Sequence, residues 1–249
     1  MIFRQLAEPV SNTYTYLLGC ETSGKAMLID PVINSIDRDL QVLQSLGLTL
    51  VYTLDTHIHA DHITAARQLR ARVGSRIAAP AFDRLPCVDV GIVEGVPFEL
   101  GGIKLEPLHT PGHTDGHFAY HCNDRLFSGD VLLIDGCGRT DFQNGDAQAL
   151  YKSVTEKLFV LGDDVLVYPA HDYQNRRVSS IGQEKMRNPR LGAGRTLVEF
   201  TAIMAELDMP YPKFIDYAVP GNRCCGECPQ NLPEQMREYC EQMAESPQG

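Results

Sequence analysis

No run of about eighteen consecutive apolar residues occurs in this chain of 249 residues, so no membrane-spanning helix is expected. The opening residues, MIFRQLAEP, lack a basic segment followed by an apolar one. They read as a first strand and not as a signal peptide, and a cytoplasmic location is the expectation. Positive charge is in short supply: 22 Lys and Arg stand against 32 Asp and Glu, a formal net charge of −10. That balance argues against a nucleic-acid surface, and an anionic ligand would need a local arginine cluster to overcome the field. No linker rich in Gly, Ser or Pro divides the sequence, and no repeat or low-complexity segment appears. One domain over residues 1–249 is therefore expected, with a short irregular tail from about residue 210. Cysteine, by contrast, is plentiful: Cys20, Cys87, Cys122, Cys137, Cys224, Cys225, Cys228 and Cys240. Without a secretion signal, reduced thiols are expected ahead of a disulfide framework. The single C-x-x-C pair, Cys225 and Cys228, is weak evidence for a metal or redox site.

Histidine is scarce as well, with eight in the chain. Three of the eight fall in His57-Ile58-His59-Ala60-Asp61-His62, which puts four metal-competent side chains into six residues. The apolar run over residues 48–56 reads as a buried strand before this hexapeptide, and residues 63–73 read as a helix after it. A strand-to-helix turn at the end of a sheet suits a metal, and imidazole nitrogen and carboxylate oxygen are usual ligands for iron, zinc and manganese. Further strands are expected at 2–6, 14–19, 26–30, 75–80, 97–100, 103–108, 118–122, 125–128 and 164–168. Helices are expected at 35–46, 147–161, 181–187 and 196–208, the second presenting Leu150, Val154, Leu158 and Leu161 on one face. Strands and helices in this order suit an α/β fold of the αββα sandwich type, two sheets between helix layers.

Three more candidates lie just past expected strands: His113 in Thr110-Pro111-Gly112-His113-Thr114, Asp130 in Ser128-Gly129-Asp130, and His171 in Pro169-Ala170-His171-Asp172. Each alone is an ordinary loop residue; their order behind the hexapeptide carries the weight. With them in place the sequence resembles the metallo-β-lactamase superfamily over roughly residues 2–172. In that superfamily one metal takes His57, His59 and His113, a second takes Asp61, His62 and His171, and Asp130 bridges. The strings GCGRTDFQ (136–143), YPAHDY (168–173) and NPRL (188–191) look like the persulfide dioxygenase branch, a resemblance extending to about residue 219. The glyoxalase II thioesterases outside that branch carry a longer helical C-terminal domain, whereas only about forty residues follow Asp208 here.

The resemblance implies one iron(II) per chain on a face of His57, His113 and Asp130, with His59, Asp61, His62 and His171 orienting those ligands by hydrogen bonds. It implies glutathione persulfide and O2 as substrates and sulfite and glutathione as products. Tyr173, two residues past His171, is a candidate catalytic and substrate-binding side chain through its hydroxyl; the other reading is a packed aromatic. A homodimer is expected, with functional coupling to a rhodanese or a sulfide:quinone oxidoreductase. Arg139 is the leading candidate for a glutathione carboxylate; the other reading makes it a brace that pairs Asp141 or Asp130. Arg190 is a second substrate-binding candidate or a brace of its own loop, and Arg176 and Arg177 read as solvated charges. The seven ligand-type residues do not by themselves decide between one metal and two. The alternative function is therefore a binuclear, glyoxalase II-like hydroxyacylglutathione hydrolase.

Overall fold

The computed structural model describes residues 1–232 together with Glu234 and Arg237; the rest of the expected tail, Cys240 included, lies outside the described residues. Two six-stranded sheets face each other. The first runs in the order β1 (Ile2–Glu8), β2 (Thr13–Cys20), β3 (Lys25–Ile29), β4 (Thr49–Leu54), β5 (Arg76–Pro80) and β6 (Val90–Ile92). The second runs β12 (Ser179–Ser180), β11 (Leu166–Pro169), β10 (Arg125–Gly129), β9 (Phe118–Cys122), β8 (Ile103–His109) and β7 (Phe98–Leu100). The first three strands pair antiparallel and β3 to β6 pair parallel. In the second sheet only the β10–β11 pair is parallel.

The layers follow from which side chains are buried together. Alternate residues of β2, namely Tyr14, Tyr16, Leu18 and Cys20, pack with Leu105, Tyr120 and Phe127 of the second sheet between the two sheets. Leu17, on the opposite face of β2, packs instead against Leu43 of α1 (Ile36–Ser45), Leu69 of α2 (Ala66–Val73) and Ala218 of α6 (Ile215–Arg223). This is the period-two alternation of a strand buried on both faces. On the far side, Leu126 and Val167 meet Leu150 of α3 (Ala147–Lys152), Ile181 of α4 (Ile181–Arg187) and Phe200 of α5 (Leu197–Ala205). Each fully buried Leu or Phe of these clusters contributes roughly 1.5–3 kcal/mol of transfer free energy. The expected αββα sandwich is the observed one.

Several local expectations are corrected. The helix expected from residue 63 starts at Ala66, because Thr64 first makes a bridge with Val32 and Ala65 N–H bonds the Pro31 carbonyl. The helix over 147–161 is α3 followed by a wider π turn, Ser153–Leu158; Leu150, Val154 and Leu158 are buried as expected. The tail is not irregular throughout: α6 occupies Ile215–Arg223 and ends against the first sheet's helix layer. The thiols are not all reduced. Cys87 and Cys225 form a disulfide with Cα atoms 6.1 Å apart, and Cys228 is disulfide-bonded as well, so Cys225 and Cys228 do not act as a C-x-x-C pair. No helix among the described residues is long and apolar enough to cross a membrane.

Candidate metal centre

The carboxyl ends of β3, β4, β8, β10 and β11 open onto one edge of the sandwich, where backbone hydrogen bonds join the sheets. Phe118 N–H bonds the Thr56 carbonyl across the sheets, and Tyr14 N–H bonds that of Ala170. Loops at such strand ends converge, so His57, His113, Asp130 and His171, 17 to 114 positions apart in sequence, meet.

Of the expected ligands, His57, His113 and Asp130 present atoms that all lie within 4.8 Å of one another. Asp130 Oδ2 is 3.6 Å from His113 Nε2 and 4.0 Å from His57 Nε2. The tautomers follow from the neighbours. Thr56 donates its one hydroxyl proton to Asp30 Oδ2 at 3.0 Å, so its oxygen accepts from His57 Nδ1–H at 2.9 Å. The Arg139 carbonyl accepts from His113 Nδ1–H at 2.8 Å. Both rings therefore carry a proton on Nδ1 and turn Nε2 toward the Asp130 carboxylate. Burial, reinforced by the surrounding histidines, holds the His57 imidazole well below its ordinary pKa, so it is neutral and competent to ligate. Two imidazoles and one carboxylate on a common face fit a redox-active divalent ion such as iron.

The remaining expected residues lie around these three, and His171 alone of them hydrogen-bonds one of the three. His171 Nδ1 lies 2.8 Å from Asp130 Oδ1 and its Nε2 lies 2.8 Å from Asp61 Oδ2. Burial opposes protonation of His171, but the two carboxylates outweigh it and raise its pKa well above the usual value. Burial likewise acts to raise the Asp130 pKa, and the His171 cation more than offsets it, so the carboxylate stays charged. Asp61 Oδ2 also meets His62 Nδ1 at 3.2 Å, and His59 Nε2 meets Asp30 Oδ1 at 3.1 Å. His59 Nδ1 and His62 Nε2 are buried without a partner, and with Asp61 these two residues form a second group of metal-competent side chains.

Four contributors have no counterpart in the sequence reading. His117 is fully buried and stacks on His57; its Nε2 accepts Asp130 N–H at 3.1 Å while its Nδ1 faces the Thr110 hydroxyl. The string Gly112-His113-Thr114-Asp115-Gly116-His117 held the only signal for it, a second histidine past the same strand. Asp30, in the left-handed region at φ 51°, accepts Thr56 N–H, the Thr56 hydroxyl and His59 Nε2. Thr56 itself orients His57, and Thr13 places its hydroxyl 3.0 Å from His171 Nε2. Gly138 is needed because a Cβ there would sit 2.6 Å from the Asp130 carbonyl and 2.7 Å from His113 Nδ1.

A cleft of about 340 Å³ opens beside Asp130 and His171, bordered by Cys137, Arg139, Tyr173 and Arg190 among others. The Arg139 guanidinium lies in the fork of Asp141, with 2.6 Å contacts from Nε and Nη2, and donates from Nη1 to the Pro210 carbonyl; it also covers the Phe142 ring. Its side chain thus braces the cleft wall. Arg190 donates Nη1 to the Cys137 carbonyl at 2.8 Å, and its Nε and Nη2 have no hydrogen-bond partner among the described residues. Tyr173 is 71% exposed and its ring is parallel to that of His171 at 6.3 Å, which places it on the cleft rim. Arg176 is not a solvated charge: it clamps Asp172, Asp135 and the Ile134 carbonyl. Gln143 donates to the Ile58 carbonyl at 2.7 Å, so the GCGRTDFQ string touches both the hexapeptide and His113.

The sequence model of the Metallo-beta-lactamase superfamily matches residues 9–84 and 70–171. The human protein named persulfide dioxygenase ETHE1, mitochondrial, is 46% identical over 234 residues, covering 91% of this chain and 89% of that protein. The crystal structure of ETHE1 from Myxococcus xanthus superposes with a TM-score of 0.89 at 50% identity, covering 91% of this chain and all of that one. Hydroxyacylglutathione hydrolase GloC of Haemophilus influenzae is 36% identical over 192 residues, 68% of this chain and 88% of that protein.

Proposed function

The chain belongs to the metallo-beta-lactamase superfamily, and we propose that within it the chain is a persulfide dioxygenase working with one iron(II) held by His57, His113 and Asp130. The observation that carries the single-metal reading is the double engagement of His171. Both its nitrogens face carboxylates, so it has no lone pair to offer and acts as a cation between Asp130 and Asp61. Asp130 then has Oδ1 occupied and only Oδ2 free as a ligand, while Asp61 Oδ2 is taken by His171 and His62.

When bound, iron(II) in such a face supplies electrons for reaction with O2 and adjacent open positions for O2 and a soft sulfur ligand. The residues of the chain do the rest. His171, His117 and the Arg139 carbonyl hold Asp130 and His113 in fixed orientation where they line the cleft. Glutathione persulfide suits that cleft because its carboxylates need cationic partners in an acidic protein and its terminal sulfur must reach the Asp130 side. Arg190, with free guanidinium edges, is the first carboxylate-binding side chain in this proposal; Arg139 supports the wall and binds substrate only if Asp141 yields. Tyr173 covers the entrance from the rim. The overall reaction converts glutathione persulfide, O2 and water into glutathione and sulfite. A cytoplasmic homodimer is part of the same proposal; in such a compartment the Cys87–Cys225 bond would be exchangeable.

The second group, His59, Asp61 and His62, and the 36% identity to a hydroxyacylglutathione hydrolase favour one other reading, a two-metal thioester hydrolase. Metal content per chain, with iron and zinc measured separately, and O2 uptake on adding glutathione persulfide decide between them. One iron with O2 consumption is expected. Two metals per chain with thioester hydrolysis and no O2 uptake would replace the proposal.

A further inference from the structure

Helix α6 comes from the far end of the chain, yet its last turn reaches the metal loop. Asn222 is 4% exposed and uses its whole amide there. Its Oδ1 accepts Thr64 N–H at 2.9 Å, and its Nδ2 donates to the His59 carbonyl at 2.9 Å and the His62 carbonyl at 2.8 Å. The partners themselves assign the amide, since the two carbonyls require the NH2 and the N–H requires the oxygen. The next residues continue along the same loop: the Cys225 carbonyl accepts Arg67 N–H and the Gly226 carbonyl accepts Gln68 Nε2. A Cβ on Gly226, at φ +89°, would lie 2.1 Å from the Thr64 carbonyl, so backbone meets backbone. The stretch from Asn222 to Gly226 thus lies across residues 59–68, the second half of the metal hexapeptide and the first turn of α2.

Apolar packing and covalent ties both fasten this stretch. Ala218 and Leu232 anchor the segment in the helix layer, with Phe214, Tyr217 and Cys228 packed against it, and Cys225 clusters with Ala66, Ile77, Leu85, Cys87 and Val88. Two covalent ties lie close together here: Cys228 is disulfide-bonded, and Cys225, 2% exposed, is bonded to Cys87, which is 138 residues away and half-buried. Cutting the Cys87–Cys225 tie lowers the free energy at which this stretch opens locally.

We propose that Asn222 is a positioning residue for the metal loop, carried on a C-terminal strap whose Cys87–Cys225 disulfide is a thiol-sensitive latch. Opening the latch is ordinary exchange with a low-molecular-weight thiol. A thiolate attacks the Cys87 sulfur, the S–S bond breaks, and Cys225 leaves as a thiolate that takes up a proton. A second thiol then displaces Cys87 from the mixed disulfide; the protein gains two electrons and two thiols become one disulfide. The proposed reaction releases a thiol of this class, so product would loosen the loop that carries His57, one of the three proposed iron ligands. The inference rests on the proposed iron site.

The test combines hydrogen exchange, metal release and a ligand-field spectrum on the full chain. Asn222→Ala and Asn222→Asp are expected to raise amide exchange over residues 57–67, leaving β8 to β10 unchanged. They should speed iron(II) or cobalt(II) loss to a chelator by roughly 10–100-fold and shift the visible spectrum of the cobalt(II) form, which a purely structural contact would leave alone. Asn222→Asp keeps the acceptor for Thr64 and loses the donors, so it carries the clamp test if Asn222→Ala fails to fold. Thiol treatment of the wild type, with opening of the disulfide verified by mass, should act in the same direction. The double variant Cys87→Ser with Cys225→Ser should show the effect without thiol. Unchanged exchange and spectrum in the Asn222 variants would overturn the clamp. Free thiols at both cysteines before reduction, or an opened disulfide without effect, would overturn the latch. A wild type that holds no iron would refute the proposed function, and the exchange arm would still decide the clamp.

Discussion

Both ring nitrogens of His171 face carboxylates, whereas His57 and His113 each give Nδ1–H to an oxygen and keep Nε2 free. Replacing a ligand therefore differs from replacing a support. His113→Ala and Asp130→Ala are expected to abolish iron binding, while His62→Ala and His171→Ala retain iron with affinity lowered by roughly 10–100-fold. Titration of the apoproteins with iron(II) checks this, and equal, complete loss in all four variants would rule out the single-metal assignment. The two arginines separate in the same way. A charge-assisted hydrogen bond contributes about 1.5–3 kcal/mol, so Arg190→Ala should raise KM for glutathione persulfide by roughly 10–150-fold at unchanged iron content. Arg139→Ala should affect KM less and thermal stability more, because Asp141 and Pro210 already hold that guanidinium. The reverse order would make Arg139 the substrate residue.

Elements are held to one another by buried polar links as well as by apolar layers. Glu8, buried at the end of β1, accepts from Val10 N–H, Ser11 N–H, the Ser11 hydroxyl and Asn34 Nδ2. It ties the β1–β2 turn, which leads to Thr13 beside His171, to the segment before α1. Burial acts to raise its pKa, and the four hydrogen bonds outweigh burial, so the folded value lies below the ordinary 4.5. A lowered carboxylate pKa contributes stability that is present above about pH 4.5 and is lost as the pH falls through the folded value. Glu8→Gln should then destabilise by about 1.5–3 kcal/mol at pH 7. Urea unfolding at pH 7 and in acid should show the gap between variant and wild type closing below about pH 4.5. A gap that persists in acid would mean that the charge is not its source.

At the scale of the whole molecule, the metal site joins the two sheets. His57 follows β4 of the first sheet, whereas His113 and Asp130 follow β8 and β10 of the second. An ion held by all three binds only the assembled sandwich, so it stabilises by mass action, about 2.7 kcal/mol at a free metal concentration 100-fold above Kd. For a chain of this size a change of 1 kcal/mol moves Tm by roughly 2–4 °C. Removing the metal with a chelator should therefore lower Tm by roughly 5–10 °C, and iron(II) should restore it. Calorimetry with and without chelator checks this, and an unchanged Tm would place the metal away from the junction of the sheets.

The layered α/β architecture, the hexapeptide, and His113, Asp130 and His171 were legible in the residues. Apolar periodicity reports burial directly, and a metal demands particular side chains at strand ends. The GCGRTDFQ string was legible as a pattern, but its work was not: Arg139 contributes its backbone carbonyl to His113, and Gln143 holds Ile58. His117, Asp30 and Thr56 act through hydrogen bonds whose partners are chosen by how two sheets meet, and no local spacing encodes that. The start of α2 moved because pairing with residues 31–32 outcompeted helix formation, a tertiary contact overriding a local preference. Asn222 and the Cys87–Cys225 bond lie furthest from any sequence signal. Each joins segments more than 100 residues apart, and only the folded chain decides which distant groups come within hydrogen-bond or covalent reach.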